Sequence, residues 1–304
     1  MFEPSPTVSV AIPIFNGANC VGTAIESALG QTHSNVEVIA INDGSTDNSL
    51  KVLQHFGDRI KVISQTNAGV ARTRNRGIEA ATGAFIAFLD QDDYWLPEKL
   101  ALQLQVFRSH PEIGLVHTAV EHRDLETGEP LPPLNSSSRP EKMIGSCFEK
   151  LLLGNPLYNS SVVVRREVID RVGGCNVQLA GNTVADYELW LRIAQHYSFG
   201  YVDQPVTIYR MHRGQGMHDR RAMLTAELQV LLAFQTEEKW KYTPCMRNRL
   251  ASLYDALAVA HYDNQDIDLA RHYFEKAFHT EKSIRTFVRR TGSLLPTRLV
   301  NLLR

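Results

Sequence analysis

Residues 84–99 read Ala-Phe-Ile-Ala-Phe-Leu-Asp-Gln-Asp-Asp-Tyr-Trp-Leu-Pro-Glu-Lys. The apolar run over 84–89 has the length and composition of a strand buried on both faces. It stops at three carboxylates, Asp90, Asp92 and Asp93. Carboxylates crowded at a strand end repel one another and lose solvation unless a cation joins them. In an open α/β sheet the carboxyl end of a strand is where ligands bind. A hard divalent cation joining Asp90 and Asp92 to a phosphate oxygen meets both conditions. Taken alone, the cluster reads as well as an acidic turn capping the helix that starts near Pro97.

Working outward, the first 110 residues alternate strand and helix patterns. Strands are expected at 8–14, 36–41, 60–64 and 84–89, and helices at 18–29, 47–56, 70–81 and 97–109. That alternation implies parallel pairing with right-handed crossovers. Beyond residue 112 the rhythm changes. Residues 114–120 and 161–164 read as strands, 144–153 and 186–197 as helices, and 125–139 as a loop or flap. The last expected strand, 202–209, contains Pro205 and is placed at a sheet edge for that reason. After residue 216 only helical periodicity remains, at 224–235, 247–264 and 268–280. Residues 256–278 resemble one tetratricopeptide-like helical hairpin, expected to pack as a cap on the preceding domain. The expected division is therefore 1–215, split into halves at about residue 110, followed by a helical region over 216–304.

The chain has 304 residues, with 43% hydrophobic and 21% charged, as in a globular protein. Lys+Arg is 32 against Asp+Glu 33, so no global field favours nucleic acid. The four cysteines are scattered, which argues against a zinc site or disulfide scaffold and fits a reducing cytoplasm. No apolar run reaches the roughly 20 residues needed to span a bilayer, and the N-terminus lacks a secretory pattern. The last 24 residues hold six basic side chains, Lys282, Arg285, Arg289, Arg290, Arg298 and Arg304, interleaved with apolar ones. Such a basic amphipathic tail suits an anionic membrane surface, or a solvated helix packed on its own domain.

Three further segments carry chemistry. Val8–Gly17 ends in Pro13-Ile-Phe15-Asn16, a turn that stops the ladder and exposes backbone carbonyls. It lacks the Gly-x-Gly-x-x-Gly of a dinucleotide site, so NAD is disfavoured. Asn42-Asp43-Gly44-Ser45-Thr46-Asp47 ends the second strand with a tight turn and a helix cap, and leaves Asp43 at the sheet's carboxyl edge. After the third strand come Arg72, Arg74 and Arg76, of which one could neutralise a diphosphate or stack on a base.

Together these segments resemble the inverting glycosyltransferases of family 2. Four motifs recur in the family's order: Pro13…Asn16, Asn42…Asp47, Gly69…Arg74-Asn75…Gly77, and Leu89-Asp90-Gln91-Asp92-Asp93. The resemblance covers residues 7–215, about two thirds of the chain. It implies the GT-A fold, a Rossmann-like nucleotide-sugar-binding α/β sheet flanked by helices, here with an α-helical C-terminal extension. It further implies a nucleotide site at Pro13, Phe15, Asn16, Asp43, Arg74, Asp90, Gln91 and Asp92. Asp43 would read the base, and Asp90 and Asp92 would hold ribose and an Mg²⁺ or Mn²⁺ ion on the diphosphate. The family's Glu-Asp pair before a Leu-Trp-Leu-Arg helix matches Ala185-Asp186, which makes Asp186 the expected catalytic base and leaves the Glu absent. Glu188 is the fallback base. A closing Tyr-Arg-x-His element matches Tyr209–His212, so Arg210 could reach the diphosphate and His212 could complete the metal shell.

The function so implied is transfer of a sugar from a nucleotide-diphosphate donor, UDP-linked, to a hydroxyl of a glycan or lipid-linked saccharide, in bacterial surface polysaccharide or glycolipid synthesis. The expected location is cytoplasmic, peripheral on the inner face of the plasma membrane through the tail, with no nucleic-acid partner. Two alternatives keep the fold. A sugar nucleotidyltransferase would carry a Gly-rich basic loop after strand one, which 15–22 lacks. A non-catalytic nucleotide-binding or protein-interaction module is supported only by Ala185.

Overall fold

Val8–Ile14 forms β1, and its alternate residues Val8, Val10, Ile12 and Ile14 are buried against helices α1 (Val21–Leu29) and α4 (Lys99–Ser109). Each such side chain contributes about 1.5–3 kcal/mol through burial. The structure is a computed structural model, and it describes residues 6–132, 142–179, 184–212, 220–235 and 243–281. The other face of β1 meets α3 (Val70–Ala80). Gly77 makes that approach possible, since a Cβ there would sit 2.8 Å from Ala11 Cβ and 2.9 Å from Ile41 Cδ1.

The nine described strands form one mixed sheet in the order β3-β2-β1-β4-β8-β6-β9-β5, with β7 paired to β6. β2 (Val36–Asp43), β3 (Lys61–Gln65) and β4 (Phe85–Phe88) run parallel to β1 as the alternation predicts. α2 (Ser49–Gln54) follows β2. The remaining strands are β5 (Tyr94–Trp95), β6 (Ile113–Asp124), β7 (Pro130–Leu131), β8 (Val163–Arg165) and β9 (Ser198–Met211). Helices α5 (Phe148–Leu152), α6 (Arg166–Val172) and α7 (Ala185–Ala194) complete this unit.

Three expectations are corrected. β9 is longer than 202–209 and is not an edge strand: it pairs with β6 on one side and β5 on the other. Pro205 is tolerated because the register shifts there, from Thr118↔Val202 to Val120↔Thr207, so residues 203–206 leave the ladder. Part of the expected 125–139 loop is a hairpin, since β7 returns onto β6 through Leu131↔His122. Helix α6 and the short β5 were not expected from the sequence pattern.

A second compact unit contains α8 (Arg220–Gln235), α9 (Pro244–Asp263) and α10 (Ile267–Thr280). Thr243 caps α9 through Met246 N–H, with Pro244 in the first turn, and Asp266 caps α10 through Leu269 N–H. α9 and α10 form the expected hairpin, with the rings of His261 and Tyr273 stacked at 5.4 Å. The basic tail at 282–304 lies outside the described residues. Among the described residues no helix is long and apolar enough to cross a membrane.

Candidate functional site

Chain order reverses between β1 and β4: β2 and β3 lie on one side of β1, and β4 on the other. That switch point opens a crevice at the strands' carboxyl ends. β4 pairs with β1 only as far as Ala11↔Phe88, so Pro13 lies past their ladder and its missing N–H costs nothing there. Gln91 spans the crevice, accepting from Phe15 N–H at 2.9 Å and donating to Phe15 C=O at 3.0 Å. The phenyl ring of Phe15 is left 47% exposed. Asn16 takes a left-handed φ of +50°, and its Oδ1 accepts from Thr46 N–H at 2.8 Å. Asp47 and Ser45 bond the backbone N–H groups of Ala18 and Asn16. The turn after β2 therefore fixes the turn after β1.

Asp43, only 3% exposed, ends β2. Its carboxylate accepts from Gln65 Nε2 (2.8 Å) and from the N–H groups of Ala68 (2.8 Å) and Gly69 (3.0 Å). Asp43 thus pins the loop that starts α3, and α3 carries Arg74. Arg74 is buried and donates to Asp90 Oδ1 at 2.9 Å. Burial works against its charge, but Asp90 and Asp186 outweigh it and hold the guanidinium protonated. Neither Arg72 nor Arg76 takes this place, and Arg76 pairs with Glu79 at the surface.

The acidic residues divide by environment. Asp90 Oδ1 accepts from both Arg74 and Asn159 Nδ2, each at 2.9 Å, leaving Oδ2 with no hydrogen bond from a described residue. Asp92 Oδ2 lies 3.1 Å from His212 Nε2. Burial, and then the charge of Asp90, push the Asp92 carboxyl above its ordinary range, while His212 draws it back. Asp93 is fully buried and structural: it accepts from Ser160 Oγ at 2.5 Å and from Arg210 N–H at 3.0 Å. Arg210 turns inward, donating to the backbone carbonyls of Asp92 and of Cys20. These bonds lock the end of β9 to the acidic turn rather than extending a cation into the crevice.

α7 supplies a further carboxylate. Asp186 Oδ1 accepts from Tyr187 N–H at 2.8 Å in the helix's first turn. Burial raises its pKa above the ordinary value, Arg74 lowers it, and Asp90 raises it again. Asp186 is thus within the electrostatic field of the residues that hold Asp90. Glu188, the fallback base, is committed elsewhere: Arg192 donates to both its oxygens, at 2.6 and 2.8 Å. Arg192 also bonds the carbonyls of Val172 and Gly174. Ala185 is fully buried, so the missing Glu has left a packed position.

Several neighbours carry no sequence motif. Asn159-Ser-Ser161 forms a 3-10 turn just before β8, and Ser160 Oγ accepts from Asp90 N–H at 3.0 Å. Trp95 Nε1 donates to Ser160 C=O at 2.7 Å. Beside it, Tyr158 bonds His122 Nε2 at 2.8 Å and stacks edge-on with Tyr209 at 4.8 Å. Burial and then the charges of Asp93, Asp92 and Asp90 push the Tyr209 hydroxyl's pKa up. The run leads into the strand expected at 161–164, and only the pairing of β8 beside β4 brings it to Asp90.

The residues fit a divalent cation. Asp90 and Asp92 offer hard oxygen ligands, and the mutual repulsion that raises Asp92 is what a cation relieves. Among the described residues no three His, Cys, Asp or Glu side chains form a closed cage. An ion of the Mg²⁺ class needs none, since it is held by one or two carboxylates together with substrate phosphates.

A family model described as glycosyl transferase family 2 matches residues 9–172. An uncharacterized glycosyltransferase of Nostoc sp. is 36% identical over 173 residues, covering 54% of this chain and 52% of that protein. One of Haemophilus influenzae is 27% identical over 290 residues, covering 92% of this chain and 93% of its own. The chain thus spans about half the length of the Nostoc relative, and 35% of a 30%-identical glycosyltransferase of Rickettsia felis. Among solved structures, Staphylococcus aureus TarS 1–349 in complex with UDP superposes with a TM-score of 0.65 at 15% identity, over 94% of this chain and 88% of that one. A mannosyltransferase of Pyrobaculum calidifontis, in complex with GDP-Man and Mn²⁺, gives 0.63 at 17% identity, over 93% and 78%. At such identities the likeness shows the fold, which is GT-A.

Proposed function

The chain belongs to glycosyl transferase family 2, and on that premise we propose that it moves a sugar from a nucleoside-diphosphate donor, UDP-linked, to a hydroxyl acceptor with inversion. The observation that carries the reading is the division of labour among carboxylates. Asp90 and Asp92 end a strand at the switch point, while Asp186 stands on another element with its basicity raised by burial. Phe15 offers an exposed ring to the nucleobase, and in this reading Asp43 meets it through Oδ2, beside its bond from Gly69 N–H; Asn16, Gln91 and Pro13 shape that wall. Arg74 screens the diphosphate side through Asp90.

Mg²⁺ or Mn²⁺, when bound, supplies Lewis-acid stabilisation of the departing diphosphate. Asp90 and Asp92 would hold it, with His212 beside Asp92. Asp186 takes the acceptor hydroxyl's proton, and the hydroxyl oxygen displaces the nucleoside diphosphate in one step. A single displacement needs one base on the acceptor side, and a carboxylate poised above its ordinary pKa is a better proton acceptor. The acceptor in this proposal is a glycan or lipid-linked saccharide of a bacterial surface polymer. The basic tail would hold the enzyme at an anionic cytoplasmic membrane face, and truncation after Thr280 should then weaken co-sedimentation with anionic vesicles.

The donor assignment is tested by calorimetric titration of UDP, GDP and dTDP with and without Mn²⁺. Binding of UDP that needs Mn²⁺ is expected. Metal-independent binding, or preference for another base, would overturn it.

A further inference from the structure

Asn159 carries the one buried acceptor beside Asp90 that nothing on the described chain satisfies. Its side chain is 6% exposed, and its Nδ2 donates to Asp90 Oδ1 at 2.9 Å. Its Oδ1 is buried with no partner. The amide cannot be turned round, because that would set its oxygen against a carboxylate oxygen at hydrogen-bond distance. Leaving such an acceptor unmatched costs the desolvation of a carbonyl, so a native position of this kind asks for an explanation.

The residue is also held rigidly. Ser160 next to it bonds Asp93 and Asp90 N–H, and its carbonyl is taken by Trp95. Ser161 C=O accepts from the buried Gln103 at 2.9 Å, and Ser161 Oγ donates to Tyr158 C=O at 2.7 Å. Among the buried side-chain polar atoms of this turn, Asn159 Oδ1 alone has no partner. Arg74, the second donor to Asp90 Oδ1, has the complementary gap: its Nε is buried and unpartnered. An orphan acceptor and an orphan donor, carried by the two residues that grip one carboxylate oxygen, match a ligand bearing several hydroxyls. Beside Asn159, the rings of Tyr158, His122 and Tyr209 pack edge to face with centroids 4.8–5.6 Å apart.

We infer that Asn159 is a specificity-determining residue for the transferred sugar, its Oδ1 accepting a hydrogen bond from a sugar hydroxyl. The inference rests on the glycosyl-transfer reading and deepens it. A merely structural Asn159 would act through Asp90, and so would affect the nucleoside diphosphate and the whole donor alike.

The test is titration of wild type and Asn159→Leu in Mn²⁺ with matched pairs, UDP against UDP-GlcNAc and GDP against GDP-mannose. A pair that wild type does not bind reports on the transfer reading and not on Asn159. For a pair that it binds, the variant should lose affinity for the nucleotide sugar at least about fivefold more than for the nucleoside diphosphate. Equal losses, or none, would overturn the inference. Wild type alone gives a second measurement if the variant does not fold. Replacing sugar hydroxyls one at a time by fluorine, which cannot donate, should weaken binding at one ring position. Binding indifferent to every such replacement would contradict the assignment.

Discussion

Arg192 closes on both carboxylate oxygens of Glu188, at 2.6 and 2.8 Å, one helical turn away on α7. This pair commits Glu188 to Arg192, whereas Asp186, in the same first turn of the helix, has no such cation closed on it among the described residues. Glu188→Gln should therefore cost about 2 kcal/mol of stability, from a lost charged hydrogen bond in a buried setting, with kcat within a few-fold of wild type. Asp186→Asn should do the reverse, with kcat down about a thousandfold and the melting temperature nearly unchanged. Chemical denaturation alongside steady-state kinetics on the two variants reads both; a large kcat loss in Glu188→Gln would transfer the role.

The acidic limb of kcat/KM follows from the same residue. Asp186 must be ionised to accept a proton, and burial has raised its pKa above 3.8. Activity should accordingly fall, as pH drops, through a pKa higher than that of a solvated aspartate. A rate still flat at the lowest pH where the fold survives would show that Asp186 does not carry the proton.

His117 predicts a separate acid weakness of the fold. It is 4% exposed with Nε2 3.1 Å from Met143 C=O, and burial lowers its pKa from 6.5 to about 4. Above pH 6.5 the ring is neutral in folded and unfolded chains alike. Between 6.5 and 4 only the unfolded chain takes the proton, so stability drains away over that window, by about 3 kcal/mol in all. His117→Gln should flatten the stability–pH curve there; parallel curves for the two proteins would contradict this.

Much of the first half was legible because its strands are buried on both faces and so read as unbroken apolar runs; β1 has the expected limits, 8–14. The acidic turn and Asp186 were legible as motifs. What sequence could not supply is pairing. Pro205 reads as an edge signal, yet it lies in a bulge that keeps β9 paired on both sides. Arg210 reads as a cation for a diphosphate, yet its backbone and side chain are spent on Asp93, Asp92 and Cys20. Asn159 and Ser160 reach Asp90 only because β8 runs antiparallel beside β4. No local pattern encodes that long-range register.

Gly77 tests the packing account. A methyl group at this position would collide with Ala11 and Ile41, both in the strands beneath α3. Gly77→Ala should destabilise by about 2 kcal/mol despite alanine's better helix propensity. A gain in stability would mean that α3 can shift without cost.

The central claim is metal-dependent donor chemistry at Asp90 and Asp92 with Asp186 as base. Its most direct measurement is release of nucleoside diphosphate from a panel of UDP-, GDP- and dTDP-sugars with Mn²⁺, by wild type, Asp92→Ala and Asp186→Asn. The account predicts that wild type turns over a UDP-sugar, that EDTA or Asp92→Ala abolishes release, and that Asp186→Asn binds the donor without turnover. Release by Asp92→Ala at the wild-type rate, or no release from any donor, would contradict it.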